Sequence, residues 1–99
     1  MIELQENFDQ QVREIAKEFP DEVVAIRYSP SYDWNGDPAI YFRVLLSDNA
    51  SQRGVLREVI ARVQEELFDR LQLRRSEYTP YFYFRSKSEQ DELKDPEWE

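Results

Sequence analysis

Tyr41 and Arg43 recur at an interval of two in one extended stretch, and Tyr81, Tyr83 and Arg85 do the same in another. Side chains alternate across a strand, so each set falls on a single face. The chemistry open to such a face is contact rather than bond-making. Phenol rings and guanidinium groups stack, hydrogen-bond and are enriched among binding hot spots. A second grouping, Tyr32-Asp33-Trp34-Asn35-Gly36-Asp37, joins two aromatics, two carboxylates and a turn signal in one short loop. Asp33, Asn35 and Asp37 at alternate positions faintly follow the start of a calcium loop. Its glycine, however, falls at the fourth position instead of the sixth, and no bidentate glutamate follows in register. Trp98, set among the carboxylates of Asp95-Pro96-Glu97-Trp98-Glu99, is a third candidate contact. The residues expected to meet a partner are therefore Tyr32, Asp33, Trp34, Asp37, Tyr41, Arg43, Tyr81, Tyr83, Arg85 and Trp98.

What the chain lacks narrows the function further. It has no histidine and no cysteine. That removes the usual acid-base group near neutral pH, the Ser-His-Asp and Cys-His nucleophiles, and the commonest ligands of zinc and iron. Carboxylate chemistry around Asp33 and Asp37 is what remains, and no second group assembles it. The expectation is a non-enzymatic protein that uses no metal or cofactor. No apolar run approaches the ~20 residues of a membrane span, and the first residues are acidic where a signal peptide is basic, so a soluble cytoplasmic protein is expected.

The elements that position these residues follow from periodicity. Leu4, Phe8, Val12, Ile15 and Phe19 form the stripe of an amphipathic helix over residues 7–19, with Asn7 and Gln10 resembling a capping box and Pro20 ending it. Strands are expected over Val23–Ser29, Ala39–Ser47 and Tyr78–Ser86. Val24, Ile26 and Tyr28, Ile40, Phe42, Val44 and Leu46, and Phe82 and Phe84 form the apolar face. The loop 30–38, with its Asn35-Gly36 and Asp37-Pro38 signals, makes the first two strands an antiparallel hairpin. A second helix, capped by Asp48, Asn49 or Ser51, carries Val55, Val59, Ile60, Val63, Leu67 and Leu71 on one side. An alternating Glu58, Arg62, Glu66, Arg70 ladder lies on its wet side. The order helix-strand-strand-helix-strand makes an α+β two-layer sandwich, a three-stranded sheet with both helices on one face and the Tyr/Arg face open. About 20 apolar positions, at ~1.5–3 kcal/mol each, supply a core for one domain over residues 1–87. Residues 88–99 read as a loosely ordered acidic tail, or in a sharper reading as an anchor aimed at a basic groove.

The net charge of −8 is uneven. Ten acidic residues face four basic ones through Asn49, and seven face three from Ser76 onward. Between them six arginines outnumber four acids, most simply as a solvated face paired with its own glutamates. An acidic molecule favours a basic protein partner and repels phosphate at long range, so direct nucleic-acid binding is disfavoured and no membrane partner is expected. Self-association through the Tyr/Arg face, giving a homodimer, is an alternative use of the same surface. A nucleic-acid-binding regulator with Tyr41, Arg43, Tyr83 and Arg85 as a stacking platform is the alternative function.

The stretch Tyr32-Asp33-Trp34-Asn35-Gly36-Asp37-Pro38-Ala39-Ile40-Tyr41-Phe42-Arg43-Val44-Leu45-Leu46-Ser47-Asp48 resembles a signature of small bacterial proteins of unassigned activity. Pro80-Tyr81-Phe82-Tyr83-Phe84-Arg85-Ser86 and Asp95-Pro96-Glu97-Trp98 are similar to further parts of it. The resemblance covers most of the chain, the first helix least distinctively. It implies a gene neighbour, a small helical protein of HEPN type, a class with many ribonuclease toxins, and hence an antitoxin-like role. It carries over no catalytic residues. The element order is also similar to KH-like RNA-binding domains, but no Gly-x-x-Gly loop occurs, so that likeness stops at topology.

Overall fold

Alternating side chains make residues 38–46 the most regular extended stretch of the chain, and this stretch becomes the centre of the sheet. The computed structural model describes residues 7–99, so Leu4 and the start of its helical stripe lie outside the described residues. The elements are α1 (Phe8–Lys17), β1 (Val23–Tyr32), β2 (Pro38–Leu46), α2 (Leu56–Arg70), β3 (Thr79–Ser86) and α3 (Lys87–Leu93). Short 3₁₀ turns lie at Leu73–Arg75 and Pro96–Trp98. The sheet runs β1-β2-β3. β1 and β2 form the expected antiparallel hairpin, whereas β3 pairs parallel to β2. A parallel neighbour needs a long crossover, and α2 supplies it. The fold is α+β, as the order of periodicities implies.

Phe8, Val12 and Ile15 of α1 and Val59, Val63 and Leu67 of α2 are buried against Ile26, Ile40, Phe42, Val44 and Leu46. Phe42 is the hub: its ring stacks on Phe82 at 5.2 Å and lies 6.4 Å from Phe8. Phe68 of α2 packs on Phe82 at 5.4 Å. Both long helices thus cover one face.

Several details depart from the sequence reading. A bulge between Val23 and Ala25 breaks the alternation, so Val23 turns into the core while Val24 is 49% exposed. Asn7 makes no side-chain cap, and α2 starts at Leu56 behind Val55, also without one. Asp48 caps elsewhere: its carboxylate accepts from the Ser88 backbone N–H at 3.0 Å and from the Ser88 hydroxyl. The ladder on α2 pairs outward and not along its own helix. Arg70 reaches Glu14 at 3.1 Å and Glu18, and Arg62 reaches Glu22 at 3.5 Å, tying α2 to α1 and the turn after it.

The largest correction concerns residues 88–99. The segment is not a loose tail. Ser86 and Glu89 form a reciprocal capping box that starts α3 directly at the end of β3. After Lys94, whose backbone is left-handed (φ 52°), the chain folds back across the outer face of the sheet and buries Trp98 to 7% exposure. That face is therefore not open along its whole length.

Candidate functional site: the outer face of the sheet

Strand register sets the outer face out in rows. Ser29, Tyr41 and Tyr81 stand abreast, then Arg27, Arg43 and Tyr83, then Ala25, Leu45 and Arg85. Large rings at adjacent cross-strand positions come within stacking distance. Tyr41 stacks on Tyr81 with centroids 5.2 Å apart and planes 16° from parallel, and on Tyr83 at 6.4 Å and 20°. Trp34 extends this series from the hairpin loop, 6.1 Å from Tyr81. The four rings form a continuous aromatic ladder.

The loop holding Trp34 is fixed from inside. One Asp33 carboxylate oxygen accepts from the Asn35 and Asp37 backbone N–H groups at 2.9 and 3.0 Å, and the other accepts from the Tyr81 hydroxyl at 3.1 Å. Backbone bonds from Asp33 N–H to the Asp37 carbonyl and from Gly36 N–H to the Asp33 carbonyl close the turn. Gly36 takes φ 83°, a conformation that side chains disfavour. Burial, the Asp33 hydrogen bond and the nearby carboxylate together raise the Tyr81 pKa above its ordinary value. Asp33 is thus a clip, with both oxygens committed to the loop and β3. Among the described residues no group of three or more metal-ligating side chains is gathered. At the tip, Trp34 stands 81% exposed on a backbone that is held still.

The other end of the face is built differently. Arg27 lies directly opposite Arg43, and such like-charge neighbours destabilise a sheet unless compensated. The returning segment compensates them. Glu97 accepts from Arg43 at 3.2 Å, and the Glu99 backbone carbonyl accepts from Arg27 Nε at 3.2 Å. Arg85 donates to Gln90 Oε1 at 2.7 Å, has Asp95 at 3.6 Å, and lies 4.3 Å from the Trp98 ring centroid. Gln90, a buried polar residue, also donates to the Asp95 carbonyl at 2.8 Å. Leu45 is buried on this side of the sheet.

Of the ten residues singled out in the sequence, the structure brings Asp33, Trp34, Tyr41, Tyr81 and Tyr83 into one surface. Asp37 belongs to the same loop, its backbone serving the turn while its side chain stays exposed. Tyr32 is exposed but alternates with Tyr28 and Pro30 onto the opposite side. Arg43 and Arg85 are occupied by the molecule's own acids. Trp98, expected as a partner contact, is an internal one, because the sheet itself carries the basic groove toward which its acidic flanks point. Arg27 was left out of the expected contacts, although it was read on this face, and Gln90 was missed. Alternation through β1 placed Arg27 on this face, and Ser86-x-x-Glu89 was a readable helix start that would have ordered Gln90.

No protein-family model, curated protein or solved structure matches the chain.

Proposed function

We propose that this chain is a non-enzymatic protein-binding module that grips a basic partner through the Trp34 loop and the Tyr81–Tyr41–Tyr83 ladder. In this reading it is an antitoxin-like cytoplasmic protein that neutralises a HEPN-type ribonuclease. The observation that carries it is the combination of high exposure and rigidity at Trp34. A large ring in water contributes nothing to folding in proportion to its size, whereas a pre-positioned aromatic loses little entropy on binding. The carboxylate of Asp37 beside it and the charge of −8 steer a basic surface toward the loop.

The test is retention of a partner from the native host on the immobilised chain, its identification by intact mass, and titration. Trp34→Ala is expected to weaken the complex by ~2 kcal/mol while folding stays intact. Association should slow as salt rises, since steering is screened beyond about 10 Å at 0.1 M. A sharp fall in melting temperature with unchanged affinity would reduce the loop to a structural cap. Retention of a second copy alone would assign the ladder to self-association.

A further inference from the structure

The segment lying on the arginine half of the outer face carries the two chemical features of a nucleotide strand, spaced anions and a flat ring. The Trp98 ring lies on the Arg85 guanidinium, the Glu97 carboxylate sits on Arg43, and Asp95 lies beside Arg85. A guanidinium holds bases and phosphates by the same two contacts, face stacking and forked donation to an anion. Among the described residues, the backbone N–H bonds of Lys94, Trp98 and Glu99 run to carbonyls within residues 90–96. The segment adds no strand to the sheet and can leave without breaking a ladder. Its hinge is Lys94, a non-glycine residue held left-handed at φ 52°.

We propose that Arg27, Arg43 and Arg85, flanked by Tyr41 and Tyr83, form a single-stranded nucleic-acid site that residues 95–99 occupy as an internal ligand. Vacated, the face presents three guanidinium groups in two adjacent rows, with the Tyr83, Tyr41 and Tyr81 rings continuing from them. Phosphates pair with the arginines and successive bases stack on the rings, a sequence-tolerant mode of binding. An acidic peptide would satisfy the arginines equally well. The stacked ladder favours a ligand with a flat group at every unit, whereas an extended peptide turns alternate side chains away. The net charge of −8 does not exclude the site, because half of it resides in residues 87–99, where six acids face two lysines. Three of those acids, Asp95, Glu97 and Glu99, leave the face together. In the closed form Arg43 and Arg85 are covered while Arg27 and Tyr83 stay exposed, and the acidic exterior repels phosphate. This inference shares the Tyr81, Tyr41 and Tyr83 rings with the protein contact and differs from it in requiring Arg27, Arg43 and Arg85 and in not involving Trp34.

The experiment measures fluorescence anisotropy of labelled oligouridylate and oligothymidylate of about a dozen nucleotides against the full chain. Two variants open the site separately: Trp98→Ala, which removes the internal ring, and Lys94→Pro. Proline cannot adopt the left-handed hinge and lies outside the site, so this variant still tests the proposal if Trp98→Ala fails to fold. Circular dichroism checks that each variant is folded. Opening is expected to tighten oligonucleotide binding at least about tenfold, and Arg43→Gln in the opened chain to return it to the parent level. The slope of log affinity against log salt should be about −2 for three neutralised phosphates at about 0.7 each, losing about 0.7 with Arg43→Gln. The ratio between the two oligonucleotides reports whether the ribose hydroxyl is read. Folded, opened chains that bind neither oligonucleotide better than the parent would overturn the proposal. Opened chains that bind a synthetic peptide of residues 94–99 but neither oligonucleotide would overturn it too, making the face a peptide seat.

Discussion

The two tryptophans occupy opposite ends of one sheet face and live in opposite environments. Trp34 stands at the tip of a hydrogen-bonded loop with most of its ring in water, while Trp98 is sealed over Arg85 by a segment that reaches it from the far end of the chain. Between them the face changes character within a single row, from stacked tyrosines to paired arginines. Folding accounts for the arginine end, where every guanidinium has an internal acceptor and the one large ring is buried. It does not account for the aromatic end, where Trp34 and Tyr83 stay exposed although the chain has shown that it can cover this face. Trp34 and Tyr83 are thus the uncovered part of a face whose other half the chain covers itself.

The most severe way to break the comparison is to remove what both ends share. Phe42 lies fully buried under β2, stacked on Phe82, so Phe42→Ala should destabilise the whole chain by roughly 3–5 kcal/mol in denaturant unfolding. A loss confined to one end would mean that the sheet is not a single cooperative unit. The tryptophans themselves come next. Trp98→Ala should cost about 3 kcal/mol of stability, and Trp34→Ala less than ~0.5 kcal/mol, in the same assay. Acrylamide quenching should reach Trp34 freely and Trp98 poorly. Equal costs would erase the distinction between an anchor and a plug.

Smaller effects sharpen the arginine end. A double-mutant cycle on Arg43 and Glu97 should return at most ~0.5–1 kcal/mol, because the Glu97 side chain is largely exposed and the pair is screened. The tie between Asp48 and Ser88 adds a pH dependence. Hydrogen bonds from the Ser88 hydroxyl and backbone N–H hold the Asp48 carboxyl below its ordinary value of 3.8. Its contribution is therefore complete above that value, declines as the pH falls past it, and is gone below the lowered native pKa. Trp98 fluorescence followed in a Trp34→Phe chain should report earlier loosening of α3 on acidification than aromatic circular dichroism reports for the hairpin. Asp48→Asn should flatten that difference.

How legible each end was in the sequence follows the same division. The aromatic end rests on local signals: a turn dipeptide at Asn35-Gly36 and strict alternation through β2 and β3, which fix Tyr41, Tyr81 and Tyr83 without knowledge of anything distant. The arginine end depends on contacts across 54 and 72 residues of chain, from Arg43 to Glu97 and from Arg27 to Glu99. Acidic composition alone reads such a segment as solvated, since nothing nearby in sequence reveals the cations that it meets. Asp48 failed for the same reason: three local residues competed as a cap for α2, while its real partner was Ser88, 40 residues on. The bulge at Val24 escaped because alternation assumes one residue opposite one residue.

The parallel pairing of β2 with β3 has a consequence in time. The β1–β2 hairpin closes over a short loop, so it forms among the earliest contacts. β3 must wait until α2 has spanned the sheet, and long-range pairings of this kind are slow to form. The arginine row of β1 and β2 is thus assembled before its acidic cover, which follows β3 in the chain and docks last. During that interval Arg27 and Arg43 stand opposite each other on the hairpin without the acids that later compensate them.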